Sequence, residues 1–60
     1  MTITFNGGVA EVELHDGRKA VIYENRSGYY RQMLYTLAIG EEIIFTRASM
    51  ARIRQYLHSI

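Results

Sequence analysis

Apolar and polar residues alternate through residues 1–24, and two dipeptides, Asn6-Gly7 and Asp16-Gly17, interrupt them. Both are two-residue hairpin signals, because each supplies residues that tolerate the positive φ angles of a type I′ turn. A turn at Asn6-Gly7 pairs Phe5 with Gly8, Ile3 with Ala10 and Met1 with Val12. A turn at Asp16-Gly17 pairs Leu14 with Lys19, Val12 with Val21 and Ala10 with Tyr23. Directly opposed residues share a face of a sheet. One face then collects Ile3, Phe5, Ala10, Val12, Leu14, Val21 and Tyr23, while the other takes Thr2, Thr4, Glu11, Glu13 and Arg18 together with Val9, Ala20 and Ile22. The pattern predicts a three-stranded antiparallel meander with one apolar face. The apolar residues left on the second face are expected to meet a partner or another subunit.

Asn25-Arg26-Ser27-Gly28 breaks this pattern, with Ser27 placed as a helix N-cap. Beyond it Tyr30, Met33, Leu34, Leu37 and Ala38 recur at helical spacing, and Gly40 is positioned to end the helix in a left-handed cap. Residues 41–45 are short, apolar and rich in β-branched side chains, which predicts a fourth strand. Thr46 is then the cap of a final helix whose apolar stripe is Met50, Ile53, Leu57 and Ile60. The expected fold is α+β in the order β-β-β-α-β-α, a three-stranded antiparallel meander followed by helix, short strand and helix. Both helices pack on one sheet face, in a single domain spanning residues 1–60.

Sixty residues limit the core, and a chain of this size is marginally stable alone. It has no cysteine, so neither a disulfide nor a thiolate metal site can brace it. Homo-oligomerisation is the expected remedy. The residues at the N-terminus lack the basic start and apolar stretch of a signal peptide, and no apolar run approaches a membrane span. Together with the missing cysteine, this points to the cytoplasm.

Charge divides the chain. Residues 1–24 hold four acids against Arg18 and Lys19, and residues 25–60 hold five arginines against Glu41 and Glu42. On the expected final helix Arg47, Arg54 and His58 share one flank, with Arg52 on the other. Tyr29 and Tyr35 lie off the apolar stripe of the preceding helix, with Arg31 near Tyr35. Tyrosine beside arginine is the composition of protein-interface hot spots. The candidate partner-binding residues are therefore Tyr29, Arg31, Tyr35, Arg47, Arg52 and Arg54. The plainer alternative is an ordinary solvated helix face, salt-bridged to the chain's own acids.

Protein is the expected partner. Nucleic acid, gripped through arginine and phosphate, is the alternative, but a net charge of only +1 is small for that role. A helix-turn-helix does not fit, because the seven residues between the expected helices exceed its short turn and resemble a strand. No nucleophile elbow, phosphate-binding glycine loop or His-Glu metal motif occurs. Neither an enzyme nor a cofactor is expected.

The stretch Leu37-Ala38-Ile39-Gly40-Glu41-Glu42-Ile43-Ile44-Phe45, followed by Arg47-Ala48-Ser49-Met50-Ala51-Arg52-Ile53-Arg54, is similar to a pattern in short phage-encoded accessory proteins. That pattern has a leucine, a Gly-Glu turn, an apolar strand and then a basic helix. The resemblance covers about a third of the chain and has low specificity. It implies a phage or mobile-element origin and action by binding host or competitor machinery. The expectation is a non-enzymatic binding protein, in concrete form an inhibitor or modulator of a host or phage protein complex.

Overall fold

The computed structural model describes residues 2–25 and 33–60. Four strands, β1 (Val9–Glu13), β2 (Lys19–Asn25), β3 (Leu34–Ile39) and β4 (Glu42–Ala48), form one antiparallel sheet in the order β1-β2-β3-β4. One helix, α1 (Met50–Ser59), follows. The result is a small α+β domain, and no helix among the described residues is long and apolar enough to cross a membrane.

The β1–β2 hairpin turns at Asp16-Gly17 as expected, but through three residues rather than two. The Leu14 N–H donates to the Arg18 carbonyl at 2.7 Å, and the Gly17 N–H donates to the Leu14 carbonyl at 3.0 Å. Gly17 has a φ of 89°. This is a tight turn completed by one left-handed residue, the usual three-residue hairpin loop. Asp16 holds it from inside: its carboxylate accepts the Arg18 backbone N–H at 3.1 Å and pairs with the Arg18 guanidinium.

The extra loop residue moves the register by one. Val12 faces Ala20 and Ala10 faces Ile22, not Val21 and Tyr23. A shift of one residue exchanges the two faces of a strand. Ala20 and Ile22 are therefore fully buried beside Ala10, Val12 and Leu14, whereas Tyr23 is 43% exposed.

The expected β-β-β-α-β-α order does not form. No strand precedes Val9 among the described residues. The first turn lies at Gly7-Gly8, one place later than expected, and it closes a single bridge between Asn6 and Val9. Ile3 and Phe5 instead pack partly against the core. The expected first helix is also absent where the structure describes it, because residues 34–39 are strand β3. Tyr30, part of its expected stripe, lies outside the described residues. Leu34-Tyr35-Thr36-Leu37-Ala38-Ile39 satisfies both a helical spacing and an alternation, and a run this short cannot be assigned from periodicity alone. Pairing on both edges, to β2 and to β4, decides in favour of the strand. Gly40 does adopt a positive φ of 63°, but as the first residue of the Gly40-Glu41 turn between β3 and β4. Glu41 has no positive φ, which is the pattern of a type II′ hairpin turn.

Strand β4 runs three residues further than residues 41–45, through Thr46, Arg47 and Ala48. Ser49 rather than Thr46 caps the helix. Its backbone is extended, and its hydroxyl accepts the Arg52 N–H at 3.3 Å. Ten residues are too few for a stable isolated helix, so α1 depends on the burial of Ile53 and Leu57 against the sheet. The core is one layer deep: Ala10, Val12, Leu14, Ala20, Ile22, Leu37, Ile39 and Ala48 beneath Ile53 and Leu57.

The register has a direct energetic test. Ile22→Ala is expected to cost about 2–4 kcal/mol through cavity formation, and Tyr23→Ala about 1 kcal/mol or less, both read by denaturant unfolding. Equal costs would contradict the three-residue loop. The Asp16 carboxyl is held below its ordinary pKa, first by the Arg18 backbone N–H, against an opposing effect of desolvation, and further by the Arg18 side chain. A depressed folded-state pKa contributes stability above the unfolded value, and that stability is lost as pH falls through the folded value. An NMR titration is expected to place Asp16 below an unstructured aspartate, and Asp16→Asn to remove this part of the acid-side loss.

Candidate interaction surfaces

The six residues singled out from the sequence do not form one site. Tyr29 and Arg31 lie outside the described residues. Tyr35 is on β3 rather than a helix, half-buried, with its ring 5.4 Å from that of Phe5. It therefore belongs to the margin of the core. Arg47 is on β4, so it does not line a helix flank with Arg54 and His58. Arg52 and Arg54 are exposed on opposite flanks of α1, as Ile53 between them is fully buried.

What the structure brings together is Arg52 with two aromatic rings. The Arg52 guanidinium carbon lies 5.1 Å from the centre of the Phe45 ring. Phe45 and Tyr56 meet edge to face, 5.3 Å apart at 81°. Arg52 and Tyr56 are four residues apart and so share a flank of α1. Phe45 reaches them because the β3–β4 ladder slips twice, between Ala38 and Leu37 and between Leu37 and Tyr35. The first slip leaves Ile44 and Phe45 both packed partly against the core. Phe45, Arg52, Gln55, Tyr56 and Ser59 line a depression of about 320 Å³. The i, i+4 spacing of Arg52 and Tyr56 is a signal in the sequence. The approach of Phe45 is not, because it requires the slips in β4 and the placement of α1.

The second slip sets Thr46 and Arg47 together opposite Thr36. An extra residue in a strand leaves backbone groups out of the ladder, and here side chains take one of them. The Thr46 carbonyl accepts Asn25 Nδ2 at 2.7 Å and Thr36 Oγ1 at 2.8 Å, and Asn25 Nδ2 also donates to Thr36 Oγ1 at 2.7 Å.

Electrostatically the two halves of the sheet differ. The ion pairs among the described residues, Arg18–Asp16 and Lys19–Glu11, both belong to the β1–β2 hairpin. Among the described residues Arg47, Arg52 and Arg54 form no salt bridge. The internal network that would have neutralised them is not seen there.

A further groove of about 440 Å³ runs between β1 and the end of α1. Glu11, Glu13, His15 and His58 are among its lining residues. No group of three or more His, Asp or Glu side chains among the described residues is arranged to hold a metal ion.

The sheet face opposite α1 carries Val9, Val21, Tyr23, Thr36 and Ala38, with Ile43 62% exposed. Two of these, Val21 and Tyr23, were assigned to the core by the sequence pattern, and the register shift puts them here. In comparisons with known proteins, the chain matches no family model, no curated protein and no solved structure.

The bonds at Thr46 predict that Thr36→Val lowers stability by about 1 kcal/mol, the net value of an intramolecular hydrogen bond. Asn25 remains on the carbonyl in that variant. Denaturant unfolding reads the loss, and an unchanged midpoint would show that the hydroxyl contributes nothing at the slip.

Proposed function

We propose that this chain is a non-enzymatic protein-binding module whose contact patch is Arg52 with Phe45, Gln55 and Tyr56. The observation that carries this reading is the Arg52 guanidinium held over the Phe45 ring, with no acidic partner among the described residues. Stacking on a ring restricts the arginine before any partner arrives, and it leaves the edge N–H groups of the guanidinium available to a carboxylate. Arginine and tyrosine are also the residues that carry most binding energy at protein interfaces. A partner presenting Asp or Glu beside an apolar side chain suits the patch, with Tyr56 and Phe45 receiving the apolar group.

Arg47 and Arg54, exposed and likewise without salt bridges among the described residues, extend the positive surroundings and would speed encounter with an acidic protein. The concrete form is the one carried by the pattern in residues 37–54: a phage-type inhibitor or modulator that binds a protein of a host or phage complex.

Arg52→Glu is expected to weaken partner capture at least about tenfold, the cost of reversing a contacted charge. Arg54→Glu, on the other flank, is expected to change it by less than about threefold. Capture from lysate with and without nuclease, followed by titration against the purified partner, checks both. Capture that is lost with nuclease and falls steeply with salt would instead identify a nucleic-acid partner. Equal effects of the two substitutions would remove the patch from the interface.

A further inference from the structure

We infer that the face of the sheet opposite α1 pairs with the same face of a second copy, about a two-fold axis running across the strands. The ladder places Glu11, Val21, Ala38 and Ile43 directly opposite one another in turn. They form one row across all four strands, apolar at its last three positions. The row next to it toward Asn25 holds Val9, Tyr23 and Thr36, with Arg47 at its β4 end. On the other side of the apolar row are Glu13 and Lys19, and the Gly40-Glu41 turn carrying Glu41, whereas Glu42 pairs with Ile39 and so belongs to the covered face. Among the described residues nothing packs over Ile43, which is the most exposed large apolar side chain there.

This arrangement is complementary to itself. A two-fold axis along the apolar row lays Val21, Ala38 and Ile43 on their own counterparts and reverses the strand direction. Arg47, on one side of the row in β4, then stands over the turn carrying Glu41 at the other end of the second copy's β4. Tyr23 comes over the second copy's Lys19 by the same operation. The two Glu11 side chains approach each other, but each is already paired with its own Lys19 at 3.5 Å. A two-fold axis along the strands would instead lay each copy's Arg47 over the other's Val9, and Glu13 over the Glu41 turn. An isologous interface requires this kind of match between a patch and itself, and stacked sheets with nearly aligned strands are a standard packing.

Size favours a second copy over an unrelated partner. The core is a single layer of small and medium side chains, and a chain of 60 residues has little stability to spare. Covering this face removes apolar surface from water whenever the chain is folded, and another copy of the chain is always at hand. A stable interface removes about 800 Å² from each partner, roughly a sixth of the 4681 Å² accessible here. Four strands spaced about 4.8 Å apart and some 20 Å long offer a flat face of roughly 400 Å², about half that area, which fits a weak and reversible dimer. A dissociation constant in the micromolar range is expected.

Sedimentation equilibrium of the whole chain, from about 1 μM to about 1 mM, tests this. A monomer–dimer equilibrium is expected, with Ile43→Lys monomeric throughout and its circular dichroism unchanged, since that side chain already faces solvent. Arg47→Glu should weaken the dimer about tenfold, and adding Glu41→Lys to it should restore the dimer. Arg52→Glu should leave the dimer intact, so this result stands or falls separately from partner capture. A monomer at every concentration, a dimer indifferent to Ile43→Lys, or no recovery on charge exchange would overturn the proposal.

Discussion

The covered face of the sheet depends on the three-residue loop His15-Asp16-Gly17. Because Leu14 pairs with Arg18 across this loop, Ala20 and Ile22 fall on the same side as Ala10, Val12 and Leu14. That is the side α1 covers through Ile53 and Leu57. A two-residue turn at the same place would present Val21 and Tyr23 to the helix and send Ile22 to solvent. The loop is short because Gly17 takes a backbone angle that a side chain disfavours, and because Asp16 closes it through Arg18. Register in a one-sided sheet is an all-or-none property, so this local geometry sets the side-chain content of both faces.

The two faces then acquire different tasks. The covered face holds the chain together with a thin core and a helix too short to stand alone. The opposite face keeps an apolar row that, among the described residues, ends in the exposed Ile43. Between them, at the β4–α1 margin, Arg52 lies over Phe45 and beside Tyr56. This third surface is produced by irregularity: without the slips in β4, Phe45 would not lie where a residue of α1 can cover it. The same slips displace the Thr46 carbonyl, and Asn25 and Thr36 compensate for it with side-chain bonds. A departure from regular pairing at a sheet edge also discourages further strands from adding there.

Parts of this structure were legible in the residues. The inward set Ala10, Val12 and Leu14, the position of the β1–β2 turn, the special conformation at Gly40 and the apolar stripe through Ile53 and Leu57 all follow from local pattern and turn chemistry. Other parts were not, and the failures have specific causes. Asp16-Gly17 is compatible with loops of two or three residues, and only the bonds to Leu14 and Arg18 choose between them. Leu34 to Ile39 suits a helix as well as a strand until β2 and β4 pair with both its edges. Thr46 and Ser49 are both acceptable helix caps, and the reach of β4 through Ala48 leaves only Ser49 free to act. Of the candidate contact residues, Arg52 and Arg54 were correctly placed on opposite flanks of a helix. Arg47 was not, because it lies in the extended part of β4.

By itself the sequence determined what is short in range: where the chain can turn, which positions in β1 point inward, that a basic amphipathic helix closes the described structure, and that residues 25–60 carry five arginines against two acids. The tertiary structure alone decided which segments are strands, the register, which apolar residues are covered and which ring Arg52 meets. The reason is physical. Turn and helix preferences act over a few bonds and are written in neighbouring residues. Strand pairing joins residues as far apart as Asn25 and Thr46, and it is settled by which arrangement satisfies the hydrogen bonds and buries the apolar side chains together.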